Sequence, residues 1–99
     1  MNRTVNVAWR AFSDRPMIGY DLDANVTFEV ETDLTDLALC EQIFKETNLY
    51  EGPIWDLMQP LPEDRTHTAL SVIFDKGDLV TIDGITYEVA DMGFRKVTA

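Results

Sequence analysis

Residues 78–89 read Asp-Leu-Val-Thr-Ile-Asp-Gly-Ile-Thr-Tyr-Glu-Val, and their pattern decides the fold class. Asp83-Gly84 is a preferred pair for a two-residue type I′ turn, because both positions need a positive φ. Such a turn sets Ile82 against Ile85, Val80 against Tyr87 and Thr81 against Thr86. The apolar pairs then collect on one face and the threonines on the other, as a hairpin with one buried face requires. Upstream, Ala69 to Phe74 predicts another short strand, with Asp75-Lys76-Gly77 turning into the hairpin. Downstream, Gly93 before Phe94 predicts a bulge or bend that aims the aromatic inward.

Toward the N-terminus the period of two recurs. Over residues 4–12, Val5, Val7, Trp9 and Ala11 alternate with Thr4, Asn6 and Arg10, which predicts a half-buried strand broken by Ser13-Asp14-Arg15-Pro16. Residues 25–31 predict a second strand, with Val26, Phe28 and Val30 on one face and Thr27, Glu29 and Glu31 on the other. Residues 33–48 switch to a helical period. Leu37, Cys40 and Phe44 share a face, Leu39 and Ile43 widen it, and Asp33 is the candidate N-cap. Asn48 and Gly52-Pro53 end that helix. Pro53 then starts a short helical turn, and Pro60-Leu61-Pro62 runs extended. Strands around one amphipathic helix argue a single α+β domain over residues 1–99. The expected architecture is an antiparallel sheet of about four strands, made of an N-terminal pair and a C-terminal hairpin, with the helix packed on one face.

The chain has 99 residues, enough for one domain with its own core. Eighteen Asp and Glu oppose eight Lys and Arg, a net charge of -10. That field repels phosphate backbones and anionic headgroups, so direct nucleic-acid and membrane partners are not expected. A basic protein, or one that normally grips nucleic acid, is the easier partner. Acidity that only keeps the protein soluble is the plain alternative. The single cysteine, Cys40, excludes an internal disulfide and falls in the apolar helical pattern. With no signal-type stretch, a reducing cytoplasm is the expected compartment.

No residue set points to an enzyme or a cofactor. The only histidine, His67, has no local partner, and the candidate nucleophiles Cys40, Ser13 and Ser71 sit in core, turn and strand patterns. Asp21-Leu22-Asp23-Ala24-Asn25 opens like a calcium loop, but Val26 stands where glycine is required and Thr32 where the bidentate glutamate belongs. Carboxylates are more suggestive as a surface. Glu29 and Glu31 share a strand face and Asp33 and Asp36 follow at the helix entrance. Alternate strand residues lie ~7 Å apart, close to the spacing of successive phosphates. A nucleic-acid mimic and a merely solvated face both account for this. Tyr50 and Trp55, with Met58, Ile54 and Leu57, either close the bottom of the core or form a partner patch.

From Leu37 onward the chain resembles a family of small accessory proteins carried by actinobacterial phages, plasmids and integrated elements. The resemblance rests on LALCEQIFKETN, YEGPIWDLM, RTHTALSV and GDLVTIDGITYEVADMGF. The last block is also similar to the YodL-type domain of conjugative-element proteins, through Leu70, Ser71, Val72, Gly77, Asp78, Val80, Gly93 and Phe94. One departure is clear: Ile73-Phe74-Asp75-Lys76 intervenes where the family pattern runs directly from Ser-Val to Gly-Asp. The resemblance implies an accessory role in mobile DNA.

The functional expectation is a non-enzymatic accessory protein that binds a host or element protein through Glu29, Glu31, Asp33, Asp36, Tyr50 and Trp55. Its concrete version regulates or inhibits a nucleic-acid-handling machine. The alternative is a structural homo-oligomer joined through sheet edges.

Overall fold

The structure, a computed structural model, describes residues 1–10, 24–61, 69–73 and 76–97. In chain order the elements are β1 (Asn2–Trp9), β2 (Ala24–Glu31), α1 (Asp36–Leu49), α2 (Pro53–Leu57), β3 (Val72–Ile73), β4 (Lys76–Gly77), β5 (Leu79–Ile82), β6 (Ile85–Val89) and β7 (Phe94–Lys96). The fold is α+β. An antiparallel five-stranded sheet has the order β2-β1-β5-β6-β7, and β3 and β4 form a separate two-stranded ribbon.

The hairpin has the register its turn dictates: Ile82 faces Ile85, Thr81 faces Thr86 and Val80 faces Tyr87. Asp83 and Gly84 take φ of 48° and 88°, so both central positions are left-handed as a type I′ turn demands. Ile85 nonetheless stays exposed beside the turn, although it points to the apolar face. The buried face continues across the sheet through Val5, Val7 and Trp9 of β1 and Phe28 and Val30 of β2, and it packs against Leu39, Cys40, Ile43, Ile54, Met58 and Leu70.

Several expectations shift. The sheet has five strands rather than about four, because the chain turns at Gly93 (φ 77°) and Phe94–Lys96 adds an edge beside β6. Phe94 does turn inward, meeting Phe44 edge-on with ring centroids 6.2 Å apart. Lys76 and Gly77 are not turn residues but the strand β4, paired with β3. Helix α1 starts at Asp36, not at Asp33. Its N-cap is Thr35, whose hydroxyl accepts the Ala38 N–H at 3.3 Å, three residues on as a cap requires. The buried stripe of α1 is Leu39, Cys40, Ile43, Glu46 and Thr47, and Leu37 is exposed. Leu39, Cys40 and Ile43 are thus buried and Phe44 packs against the core as the helical period predicts, while Leu37 departs from that face and two polar residues, Glu46 and Thr47, join it.

The short helix after Pro53 forms as expected, with the proline in its first turn. Ala11, Phe12, Ser13, Pro16, Gly19, Pro62, His67, Phe74, Asp75 and the start of the acidic Asp21 loop lie outside the described residues.

Candidate functional site: the acidic edge of the sheet

Among the described residues β2 is an edge strand, paired with β1 on one side only. Its register with β1 sets which groups face outward. The Thr32 N–H donates to the Met1 carbonyl at 3.0 Å, and on the far side of β1 the Asp83 N–H donates to the Thr4 carbonyl at 2.9 Å. Hydrogen-bonded and non-bonded pairs alternate along an antiparallel ladder. Arg3, Val5, Val7 and Trp9 therefore bond toward β2, while Asn2, Thr4, Asn6 and Ala8 bond toward β5 or away from β2. Across from the second set stand Glu31, Glu29, Thr27 and Asn25. Their N–H and C=O groups point out of the sheet edge, and among the described residues no strand takes them up.

The same four residues put their side chains on the polar face, opposite Phe28 and Val30, and all four are exposed. Asn6 donates to Asn25 Oδ1 at 3.2 Å and to Thr27 Oγ1 at 2.9 Å, and Asn2 donates to Glu29 at 3.1 Å. Glu31 lies against the Met1 amino group, with Asp33 3.3 Å from the same nitrogen. The Asp33 side chain is fully exposed. Glu29, Glu31 and Asp33 thus gather along one outer margin, beside an open row of backbone donors and acceptors.

Asp36 belongs elsewhere. Its carboxylate pairs with the Arg3 guanidinium and accepts the Tyr87 hydroxyl at 2.8 Å. Arg3 also reaches Asp83 at 2.5 Å, and Asp83 accepts the Thr4 N–H at 3.0 Å. The cluster ties the entrance of α1 to β1 and to the hairpin turn. Arg3 holds the Asp36 carboxyl below its usual range, against the opposing pull of burial, and Tyr87 helps. The Thr4 N–H and then Arg3 do the same for Asp83. Tyr87 is pushed up to about 12, chiefly because its hydroxyl proton is held by Asp36 and secondarily by burial.

A carboxyl whose folded pKa is depressed stabilises the fold above its unfolded value, here 3.8, and that stabilisation is lost as pH falls through the folded value. Asp36→Asn is expected to be less stable than the parent by about 1.5–3 kcal/mol at neutral pH, the range for hydrogen bonds to charged groups. The gap should narrow below about pH 4. Thermal melts of the two proteins between pH 7 and 2 check this, and a gap that stays constant with pH contradicts it.

Tyr50 and Trp55 come together as an edge-to-face pair, centroids 5.5 Å apart, at the junction of α1 and α2. Tyr50 caps α1 in the left-handed region (φ 56°) and is exposed, Trp55 is half-buried, and Ile54 and Met58 go into the core. Ile54 and Met58 thus help to close the core, while Tyr50 and Leu57 stay exposed. Cys40 is fully buried in the core, and burial, with Asp36 and Glu41 nearby, pushes its thiol up to about 12. Ser71 uses its N–H on Asp78 and donates its hydroxyl to the Ala69 carbonyl at 3.3 Å. Among the described residues no group of three or more His, Cys, Asp or Glu is placed to hold a metal ion, and no helix is long and apolar enough to cross a membrane.

The Gly77-Asp78 pair is architectural. The buried Asp78 carboxylate accepts the N–H of Arg10 at 2.7 Å and of Ser71 at 2.8 Å, joining the end of β1 to the β3 segment. Glu88, also buried, pairs with Arg10 and Arg95 at an open cleft. Burial opposes its charge, but Arg95, the Gly77 N–H and Arg10 together keep its pKa below the usual range. Neither acid stands out by sequence period. The one local signal is a glycine before Asp78 and a carboxylate amid the apolar run at Glu88. Comparison with protein-family models, curated proteins and solved structures finds no match to this chain.

Proposed function

We propose that this protein is a non-enzymatic binding protein that engages a basic surface of another protein through Glu29, Glu31 and Asp33. The observation that carries this is the clustering of exposed carboxylates along a strand edge that no other described strand pairs with, whereas Asp36 is committed to Arg3 and Tyr87. The resemblance of the segment from Leu37 onward suits an accessory protein of a phage or plasmid, and the partner is then a host or element protein. A nucleic-acid-handling protein fits best: Glu29 and Glu31 stand ~7 Å apart, the repeat of alternate strand residues, and the net charge of -10 favours a cationic groove. Self-pairing through β2 is the weaker arrangement, because it brings the glutamates of two copies together and like charges across strands destabilise.

The test compares the parent with a variant carrying Glu29→Lys, Glu31→Lys and Asp33→Lys. Proteins retained from host lysate by the parent are expected to be released by duplex DNA and by raised salt, and to be lost from the variant while its circular dichroism is unchanged. Retention that is indifferent to charge reversal, salt and duplex overturns the proposal.

A further inference from the structure

We infer that β2 takes up an extended basic segment of its partner as an added strand, with cationic residues opposite Glu29 and Glu31. This rests on the acidic-edge reading above and specifies how the edge is used.

Three observations meet at this edge. The outward backbone row belongs to Asn25, Thr27, Glu29 and Glu31, so a segment laid alongside finds alternating donors and acceptors already in strand geometry. Main-chain pairing of this kind supplies affinity, and the side chains on alternate positions supply choice. Next, the residues whose backbone is open are the same residues that carry the charge. An incoming strand that bonds to Glu29 and Glu31 therefore places its own neighbouring side chains on the face those carboxylates occupy. Lysine or arginine there gains opposite-charge cross-strand pairs. Its intervening residues fall on the other face, where Val26 is half-buried and packed against the core, so that apolar residues extend the buried surface. The preferred segment alternates basic and apolar residues.

Finally, the edge discriminates. A long open edge is a hazard unless something blunts it, and charged side chains are the usual device. Glu29 and Glu31 repel a second copy of β2 and any other acidic strand, while they admit a basic one. β2 runs eight residues, against three for β7 at the opposite edge, so it is the edge with room for a stable addition.

The experiment uses the full chain and a synthetic peptide of alternating Lys and Val. Peptide binding is expected to slow amide exchange at Thr27, Glu29 and Glu31 by about tenfold or more, as new hydrogen bonds form there. Thr27→Pro removes an outward N–H without altering charge, a substitution an edge strand tolerates. It is expected to weaken binding by about tenfold or more. Should that variant fold poorly, a peptide methylated on alternate backbone nitrogens makes the same test on the parent, with the same expected loss.

Charge-dependent binding that is unaffected by Thr27→Pro and by methylation, with no new amide protection, overturns strand addition and leaves the acidic-edge reading standing. Equal binding of an uncharged Thr-Val peptide, or of the Glu29→Lys, Glu31→Lys variant, overturns both. No binding of the Lys-Val peptide at millimolar concentration overturns strand addition. So does protection of the same amides that grows with protein concentration in the absence of peptide, which makes a second copy the occupant.

Discussion

Replacing Gly77 by alanine is expected to lower the melting temperature by about 12 °C or more, a loss of about 3 kcal/mol in a domain this small. A Cβ at Gly77 would lie 2.0 Å from the Val89 carbonyl oxygen and 3.0 Å from Glu88 Cγ. The first contact is with backbone, so no side chain can swing aside to relieve it. That backbone is also fixed from its other atoms, since the Val89 N–H donates to the Asp78 carbonyl at 3.0 Å. Moving β4 away disturbs the Gly77 carbonyl, which accepts Arg10 Nε at 2.7 Å, and the Asp78 carboxylate beside it. Thermal unfolding followed by circular dichroism measures the effect. A melting point within about 2 °C of the parent, worth well under 1 kcal/mol, contradicts the close approach.

The second large effect is at Glu46, which is 3 % exposed although its side chain ends in a carboxyl group. One carboxylate oxygen accepts the N–H groups of Ile54 at 2.8 Å and Trp55 at 3.0 Å, and the other accepts Gln42 Nε2 at 2.7 Å. A residue in the last turn of α1 thus caps the open N–H groups at the start of α2. Glu46→Ala leaves the buried Ile54 N–H without a partner and opens a cavity. The expected loss is about 2–4 kcal/mol. Glu46→Gln keeps an acceptor oxygen in place and should lose only about half as much. Denaturant titration gives both values, and Trp55 fluorescence, read in a Trp9→Phe background, reports whether α2 detaches first. Equal stability of the alanine variant and the parent is the contrary result. The site also explains Gly52, because a Cβ there would lie 2.1 Å from Glu46 Oε1 and the residue holds φ at 125°.

How much of this is visible in the linear chain depends on the range of the interaction. The Asp83-Gly84 register is legible because turn chemistry and strand alternation act over adjacent residues. Pro53 as the start of α2 is legible for the same reason. Strand β7 is not, since three residues with one apolar member carry no period. The face of α1 is legible at Leu39, Cys40, Ile43 and Phe44 but not at Glu46 and Thr47, because a buried polar residue reads as a surface one until its partner is known. For the acidic edge, Glu29, Glu31 and Asp33 are visible as carboxylates on one side of a strand. That β2 is an edge is not visible: it depends on β1 choosing β5 as its second neighbour, a pairing between distant parts of the chain. Asp36 looks like its acidic neighbours, and only the approach of Arg3 and Tyr87 separates it from them.

The place of β1 between β2 and β5 also bears on how the molecule assembles in time. Arg3 and Asp83 meet across 80 residues of chain. Thr81 and Thr86 meet across 5. A hairpin of the second kind closes in about 1–10 μs, whereas the entropy of closing a long loop must be met before its contacts give anything back. The β5–β6 hairpin is therefore a local event, and the docking of β1 on it is the slow, rate-setting search. Until that docking is complete, Val80, Ile82 and Tyr87 have no partner from β1, and the molecule's greatest exposure to misassociation falls in that interval.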